Sequence, residues 1–143
     1  MKYISVDDDT YPAMTPLVLV SKALSDPNRV RILAILREGE LCVCELCDAL
    51  KLTQSTLSTH LQVIRKAELV TTRKLGKWNY YAIAPQAKGL LDSLFGFFAP
   101  SLANDRKLAT DARRLKSRLA LREEGACCVG FECGTPASKT ITP

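Results

Sequence analysis

The stretch Glu40-Leu41-Cys42-Val43-Cys44-Glu45-Leu46-Cys47-Asp48-Ala49-Leu50, running on through Lys51-Leu52-Thr53 into Gln54-Ser55-Thr56-Leu57-Ser58-Thr59-His60-Leu61-Gln62-Val63-Ile64-Arg65-Lys66-Ala67, decides the fold. Val43, Leu46 and Leu50 recur at i, i+3 and i+7, which predicts a short helix over about 43–50. Thr53 is a candidate cap for a second helix over about 54–67, with Leu57, Leu61 and Ile64 as its buried stripe. Two short helices joined by so tight a turn at Lys51-Leu52 predict a helix-turn-helix.

The flanking sequence extends this unit. Upstream, Thr15-Pro16 and Ser25-Asp26-Pro27 both place a capping residue before proline, the signal for a helix start. They predict helices over about 17–24 and from 27 to about 37, the latter stopped by Gly39. Downstream, β-branched and aromatic runs at 69–74 and 78–83 surround Leu75-Gly76-Lys77 and predict a β-hairpin. A hairpin directly after a helix-turn-helix is a wing. Pro85 opens a further helix reaching about 103, in which Leu90, Leu91, Leu94, Phe95, Phe97, Phe98 and Leu102 are apolar on most sides. So apolar a helix needs a partner chain as well as its own core. The expected fold is mainly α with a small β-hairpin, a homodimeric winged helix-turn-helix. The expected organisation is an N-terminal arm at 1–13, a DNA-binding and dimerisation domain at 14–103, a charged helix at 104–124 and a cysteine-containing tail at 125–143.

The totals agree with one globular domain. The 143 residues are 47% hydrophobic and 24% charged, with a net charge of +5. A positive balance favours an anionic partner. No apolar run approaches the roughly 18 residues of a membrane span. The acidic start, Ser5-Val6-Asp7-Asp8-Asp9, is unlike a signal peptide. A cytoplasmic protein without a membrane partner is expected.

Six cysteines then need explaining, and they fall in two clusters: Cys42, Cys44, Cys47 and Cys127, Cys128, Cys133. In a reducing compartment, clustered thiols point to ligation or redox work. One cysteine alone is more often a small buried hydrophobe; three within six residues beside a helix-turn-helix favour a ligand set for a soft metal or metalloid. On an ideal helix Cys42 and Cys44 project about 200° apart, whereas Cys44 and Cys47 share a face. Capture of all three thiols is therefore expected to unwind the first turn. No thioredoxin-like βαβ pattern surrounds Cys44-x-x-Cys47, and structural zinc lacks a fourth ligand nearby. There are no paired carboxylates, no Gly-rich phosphate loop and no nucleophile–base pair, so an enzyme is not expected. His60 lies near the buried side of its helix and reads as a packed, hydrogen-bonded histidine.

The second helix turns Ser55, Thr59, Gln62 and Lys66 away from its apolar stripe, with Ser58 on the flank. Such side chains suit base edges and phosphates in the major groove. Residues 51–83 hold six basic residues against Glu68, a net +5. This charge lies where phosphates would lie, and Arg73, Lys74 and Lys77 are expected to contact the backbone or minor groove from the wing. One reading unit gives little specificity, so two copies are expected to read an inverted repeat, joined by the helices at 16–24 and 86–103.

Gly39-Glu40-Leu41-Cys42-Val43-Cys44-Glu45-Leu46-Cys47, then Ser58-Thr59-His60-Leu61, then Gly76-Lys77-Trp78 with Tyr80-Tyr81, resembles the arsenic-responsive repressors of the ArsR–SmtB family. The resemblance spans about 16–85. It implies a repressor of a resistance operon that leaves double-stranded operator DNA when As(III) or Sb(III) binds the Cys42, Cys44, Cys47 thiolates; no other cofactor is required. Trivalent arsenic and antimony favour three thiolates, which this motif supplies. The same thiolates suit cadmium or lead, and a redox- or sulfur-sensing repressor of this fold is the remaining alternative. Zinc-sensing relatives use histidines and carboxylates on the last helix, and no histidine stands there. The sequence departs from the family pattern twice. Glu68 stands where the family has a glycine able to adopt positive φ, so this helix end is expected to differ. The chain also continues past Leu102 into Cys127, Cys128 and Cys133, a possible second metalloid site.

Overall fold

The computed structural model describes residues 13–123. The expected arm, apart from its last residue, and the expected cysteine tail lie outside the described residues. Seven helices and three short strands follow in the order α1 (Thr15–Ala23), α2 (Pro27–Leu36), β1 (Leu41–Cys42), α3 (Val43–Leu50), α4 (Gln54–Lys66), β2 (Val70–Leu75), β3 (Trp78–Ile83), α5 (Pro85–Phe97), α6 (Ala99–Leu102) and α7 (Arg106–Leu119).

Local chemistry sets the ends of these elements. Asp26 caps α2 by accepting the backbone N–H groups of Asn28 and Arg29 at 2.8 and 3.3 Å, ahead of Pro27. Thr53 caps α4 by accepting from Thr56 N at 3.3 Å. Thr15 lies inside α1, which Met14 precedes without a side-chain cap. The helix expected to run unbroken to 103 is divided at Phe98. Pro100 lacks an N–H for continued α-helical bonding, and a one-turn α6 follows the break.

The sheet has strand order β1-β3-β2, all antiparallel. Its hairpin closes at Gly76, where φ is +60°, a conformation glycine adopts without a Cβ penalty. The unexpected strand is β1. It pairs Leu41 with Tyr81 and Cys42 with Tyr80, so the residues just before α3 belong to the wing sheet.

The core gathers Ile32, Leu33 and Leu36 of α2, Leu46 and Leu50 of α3, Leu57, Leu61 and Ile64 of α4, and Leu91 of α5, all buried. Burial of each such side chain is worth roughly 1.5–3 kcal/mol. The apolar stripes therefore fix α3 against α4 as a helix-turn-helix.

The charged helix is bound into this core. Asp105 caps α7 by accepting Leu108 N–H at 2.9 Å. Asp111, Leu115 and Arg118 fall at i, i+4 and i+7 and are buried against α2 and α3. Arg31 of α2 donates from Nε and Nη2 to the two oxygens of Asp111, both at 2.8 Å, and from Nη2 to the Leu50 carbonyl at 2.7 Å. One guanidinium thus joins α2, the end of α3 and α7.

Glu68 also departs from expectation. It takes φ +59° itself, and Leu69 N–H bonds Ile64 O at 3.3 Å while Glu68 N–H bonds Arg65 O at 2.8 Å. This is the Schellman ending that a glycine would form, here with a left-handed, non-glycine residue. Chain reversal into β2 is retained despite the side chain.

Candidate metalloid and nucleic-acid site

Cys42 lies outside α3. Its φ of −83° and ψ of 163° are extended, and it is the helix N-cap. This corrects the expectation that Cys42 and Cys44 point apart on one helix: their sulfurs are 2.8 Å from each other. The pair is buried with Tyr80, under Trp78, while Cys47 is packed in the main core. It is Cys47, one turn further on, that stands in different surroundings. Among the described residues, no group of three or more His, Cys, Asp or Glu side chains is assembled to hold a metal. Two of the expected ligands are therefore adjacent, and the third requires rearrangement to join them. Cys127, Cys128 and Cys133 lie outside the described residues.

The cap itself involves the cysteine. Cys42 N–H donates to Glu45 Oε1 at 3.0 Å, and the Cys42 sulfur occupies the reciprocal place over the backbone N–H of Glu45. This is a capping box with sulfur where a hydroxyl oxygen is usual. Sulfur is a weak acceptor, so the first turn is held chiefly by Glu45.

Glu45 is fully buried and ionically paired. Arg122 donates to both of its carboxylate oxygens at 2.6 Å and to the Glu40 carbonyl at 2.8 Å. The hydrogen bonds it donates to Glu45 hold the Arg122 guanidinium above its ordinary range, with smaller contributions from neighbouring Tyr80 and Cys42. One turn along, Arg118 Nε donates to Asp48 Oδ2 at 2.6 Å, also buried. Asp48 is thus a docking point of α7, through Arg118, and Glu45 holds the segment just after α7, through Arg122. Sequence reading missed both pairs. Their only signal was a basic residue recurring at 118 and 122, four residues apart in sequence.

The expected DNA-facing residues lie on accessible surface. Ser55, Thr59, Gln62 and Lys66 are exposed on α4, and Ser58 is half-buried at its flank. Thr59 donates to the Ser55 carbonyl at 3.0 Å, a bond internal to the helix. His60 is packed as expected, with Nδ1 3.2 Å from Arg29 Nη1 and 4.0 Å from Asp26. On the wing, Lys74 and Lys77 are exposed near the turn, with Lys77 Nζ 5.1 Å from the centre of the Trp78 ring. Arg73 is already engaged. It forms two 2.7 Å bonds to Glu40 and lies 5.0 Å from the centre of the Tyr80 ring. Glu40 therefore joins the wing to the segment carrying Cys42.

A helix-turn-helix with an antiparallel wing, presenting polar and basic side chains from α4 and the hairpin tip, defines a winged-helix DNA-binding transcription regulator. No helix among the described residues is long and apolar enough to cross a membrane. Residues 26–72 match the pattern of bacterial regulatory proteins of the arsR family. The chain is 42% identical over 103 residues to the arsenic resistance transcriptional regulator ArsR1 of Pseudomonas putida, covering 71% of this chain and 78% of that one. It is 38% identical over 99 residues to ArsR2 of the same organism, covering 68% and 84%. Among solved structures, HlyU from Vibrio cholerae superposes with TM-score 0.55 at 34% identity, covering 59% of this chain and 94% of that one. The homodimeric winged helix-turn-helix DNA-binding domain Mb0332 from Mycobacterium bovis gives 0.57 at 29%, covering 70% and 91%. The chain belongs to the ArsR family of transcription regulators.

Proposed function

We propose that this protein is a metalloid-responsive repressor that acts in the cytoplasm. It binds an inverted-repeat operator as a homodimer and leaves it when As(III) or Sb(III) is captured by thiolates of Cys42, Cys44 and Cys47. The observation that carries this reading is the 2.8 Å approach of the Cys42 and Cys44 sulfurs at the N-terminus of the first helix of the helix-turn-helix.

Release follows from differential affinity. In the described state Cys42 occupies the cap of α3, and all three cysteines are buried. Capture would take the Cys42 sulfur from its cap and draw Cys47 toward Cys44, opening the first turn. A rearranged α3 cannot hold α4 in the same place, so inducer and operator favour different conformations. Operator contact falls to Ser55, Ser58, Thr59, Gln62 and Lys66 on α4, and to Arg73, Lys74 and Lys77 on the wing. Of these, Arg73 already holds Glu40 through Nε and Nη2. Dimerisation is assigned to α1 and to the stretch 86–103 of α5 and α6, where Leu17, Leu90, Phe97 and Phe98 are exposed and Leu94, Phe95 and Leu102 line an apolar cavity of about 160 Å³. DNA binding and dimerisation are assigned to residues 14–103, with α7 packed onto them, and Cys127, Cys128 and Cys133 are assigned to a second metalloid site.

The test is release of an operator duplex, selected from a randomised pool by the wild-type protein, on separate titration with arsenite, antimonite, cadmium, zinc and peroxide. Release by arsenite and antimonite at the lowest concentrations is expected. Release by peroxide alone would favour the redox alternative, and preference for cadmium would favour the cadmium and lead alternative.

A further inference from the structure

We propose that the groove between α3 and α7 is a second binding surface for the phosphates of duplex DNA, beyond those reached by α4 and the wing. This rests on the repressor reading above. The groove is a cavity of about 330 Å³, into which Lys51, Arg113 and Arg114 converge beside Ser117, over the Asp48–Arg118 pair.

The charge in this groove is unbalanced. Among the described residues, Asp48 is the one carboxylate lining it, and Arg118 takes that carboxylate at 2.6 Å. Three cations remain, and among the described residues no carboxylate lies within ion-pair distance of Lys51, Arg113 or Arg114. Like charges gathered on two facing elements repel one another, and an anion between them relieves that repulsion. The imbalance extends along the helix: residues 104–123 carry seven basic residues against three acidic ones, a net +4.

Position selects the anion. Lys51 is the left-handed C-cap of α3, in the turn of the helix-turn-helix, two residues before Thr53 caps the reading helix. Lys51 thus carries one wall of the groove to the turn that leads into the N-terminus of α4, the end that favours negative charge. A duplex seated on α4 brings its backbone past Lys51, and Arg113 and Arg114 extend the positive surface along α7. Because Asp48 holds α7 and Glu45 holds the segment just after it, this surface is built on the cysteine helix itself.

The proposal is tested by fluorescence anisotropy of the full chain with the selected duplex and with a scrambled one, over a series of salt concentrations. Each lost phosphate contact lowers the slope of log affinity against log salt by about 0.9. The double variant Arg113→Ala with Arg114→Ala is expected to flatten the slope by about 2 on both duplexes, with the preference between them kept. Lys51→Ala is expected to flatten it by about 1, and Lys116→Ala, on the same helix but outside the groove, to leave it unchanged. Both surface variants should keep the wild-type thermal unfolding midpoint. A wild-type slope in the Arg113 and Arg114 variant overturns the proposal. So does an equal loss in Lys116→Ala, which would assign the effect to net charge. Failure of the wild-type protein to bind any duplex overturns the repressor reading, and this proposal with it.

Discussion

Arg122 donates to both carboxylate oxygens of Glu45 at 2.6 Å, and through this pair the segment that follows the last described helix is tied to the residue that accepts the N-cap N–H of the cysteine helix. Glu45 is inaccessible to solvent, so its charge depends on Arg122 and on the Cys42 N–H. Removing one partner of a buried pair leaves the other charge uncompensated. Arg122→Met is therefore expected to lower stability by about 3 kcal/mol in urea unfolding. Glu45→Gln with Arg122→Met should recover part of that loss. An additive double variant would show that the two residues are not coupled.

The cap position of Cys42 separates its structural part from its chemical part. Serine is a strong N-cap and accepts from a backbone N–H better than sulfur does. Cys42→Ser is expected to change stability by no more than about 1 kcal/mol, yet to raise the arsenite concentration for operator release at least tenfold. Cys47→Ala should impair release as strongly if three thiolates bind. A wild-type response in that variant would reduce the site to the Cys42–Cys44 pair.

Glu68 holds a left-handed conformation at the end of the reading helix, φ +59°. Glycine adopts this region without the Cβ penalty. Glu68→Gly is expected to stabilise the fold by about 0.5–1 kcal/mol, seen as a rise in thermal midpoint. A fall in midpoint would mean that the Glu68 side chain contributes more than its backbone costs.

Phe97 is 78% exposed at the end of α5, packed edge-to-face against Phe98 at a centroid distance of 4.8 Å. A charge placed in a two-fold interface is buried twice, once from each copy. Phe97→Glu is expected to shift sedimentation at micromolar concentration from dimer to monomer and to weaken operator binding. Retention of the dimer would place the interface elsewhere.

Much of the architecture was legible in residues 15–85 because its signals are local. Asp26 and Thr53 cap their helices by reaching two or three residues along the chain. The stripes of Leu46 and Leu50, and of Leu57, Leu61 and Ile64, state which faces meet. The hairpin follows from β-branched and aromatic runs around Gly76. The break at Phe98 was also signalled, by Pro100. Local sequence determined the helix-turn-helix, the wing and the presence of three thiols at the first helix of the reading unit.

Only the tertiary structure decided how those thiols are arranged. Cys42 has the spacing of a helical residue, but pairing of Leu41 and Cys42 with Tyr81 and Tyr80 draws it into extended backbone and brings its sulfur to Cys44. A two-residue strand has no periodicity to read, and its partner lies about forty residues away. The same holds for α7. Arg31, Asp111, Asp48, Arg118, Glu45 and Arg122 appear in sequence as ordinary surface charges, because hydrophobic periodicity carries no information about which charges are buried together. Their pairing is set by packing between distant elements, and that packing joins the cysteine helix, the wing and the basic α7.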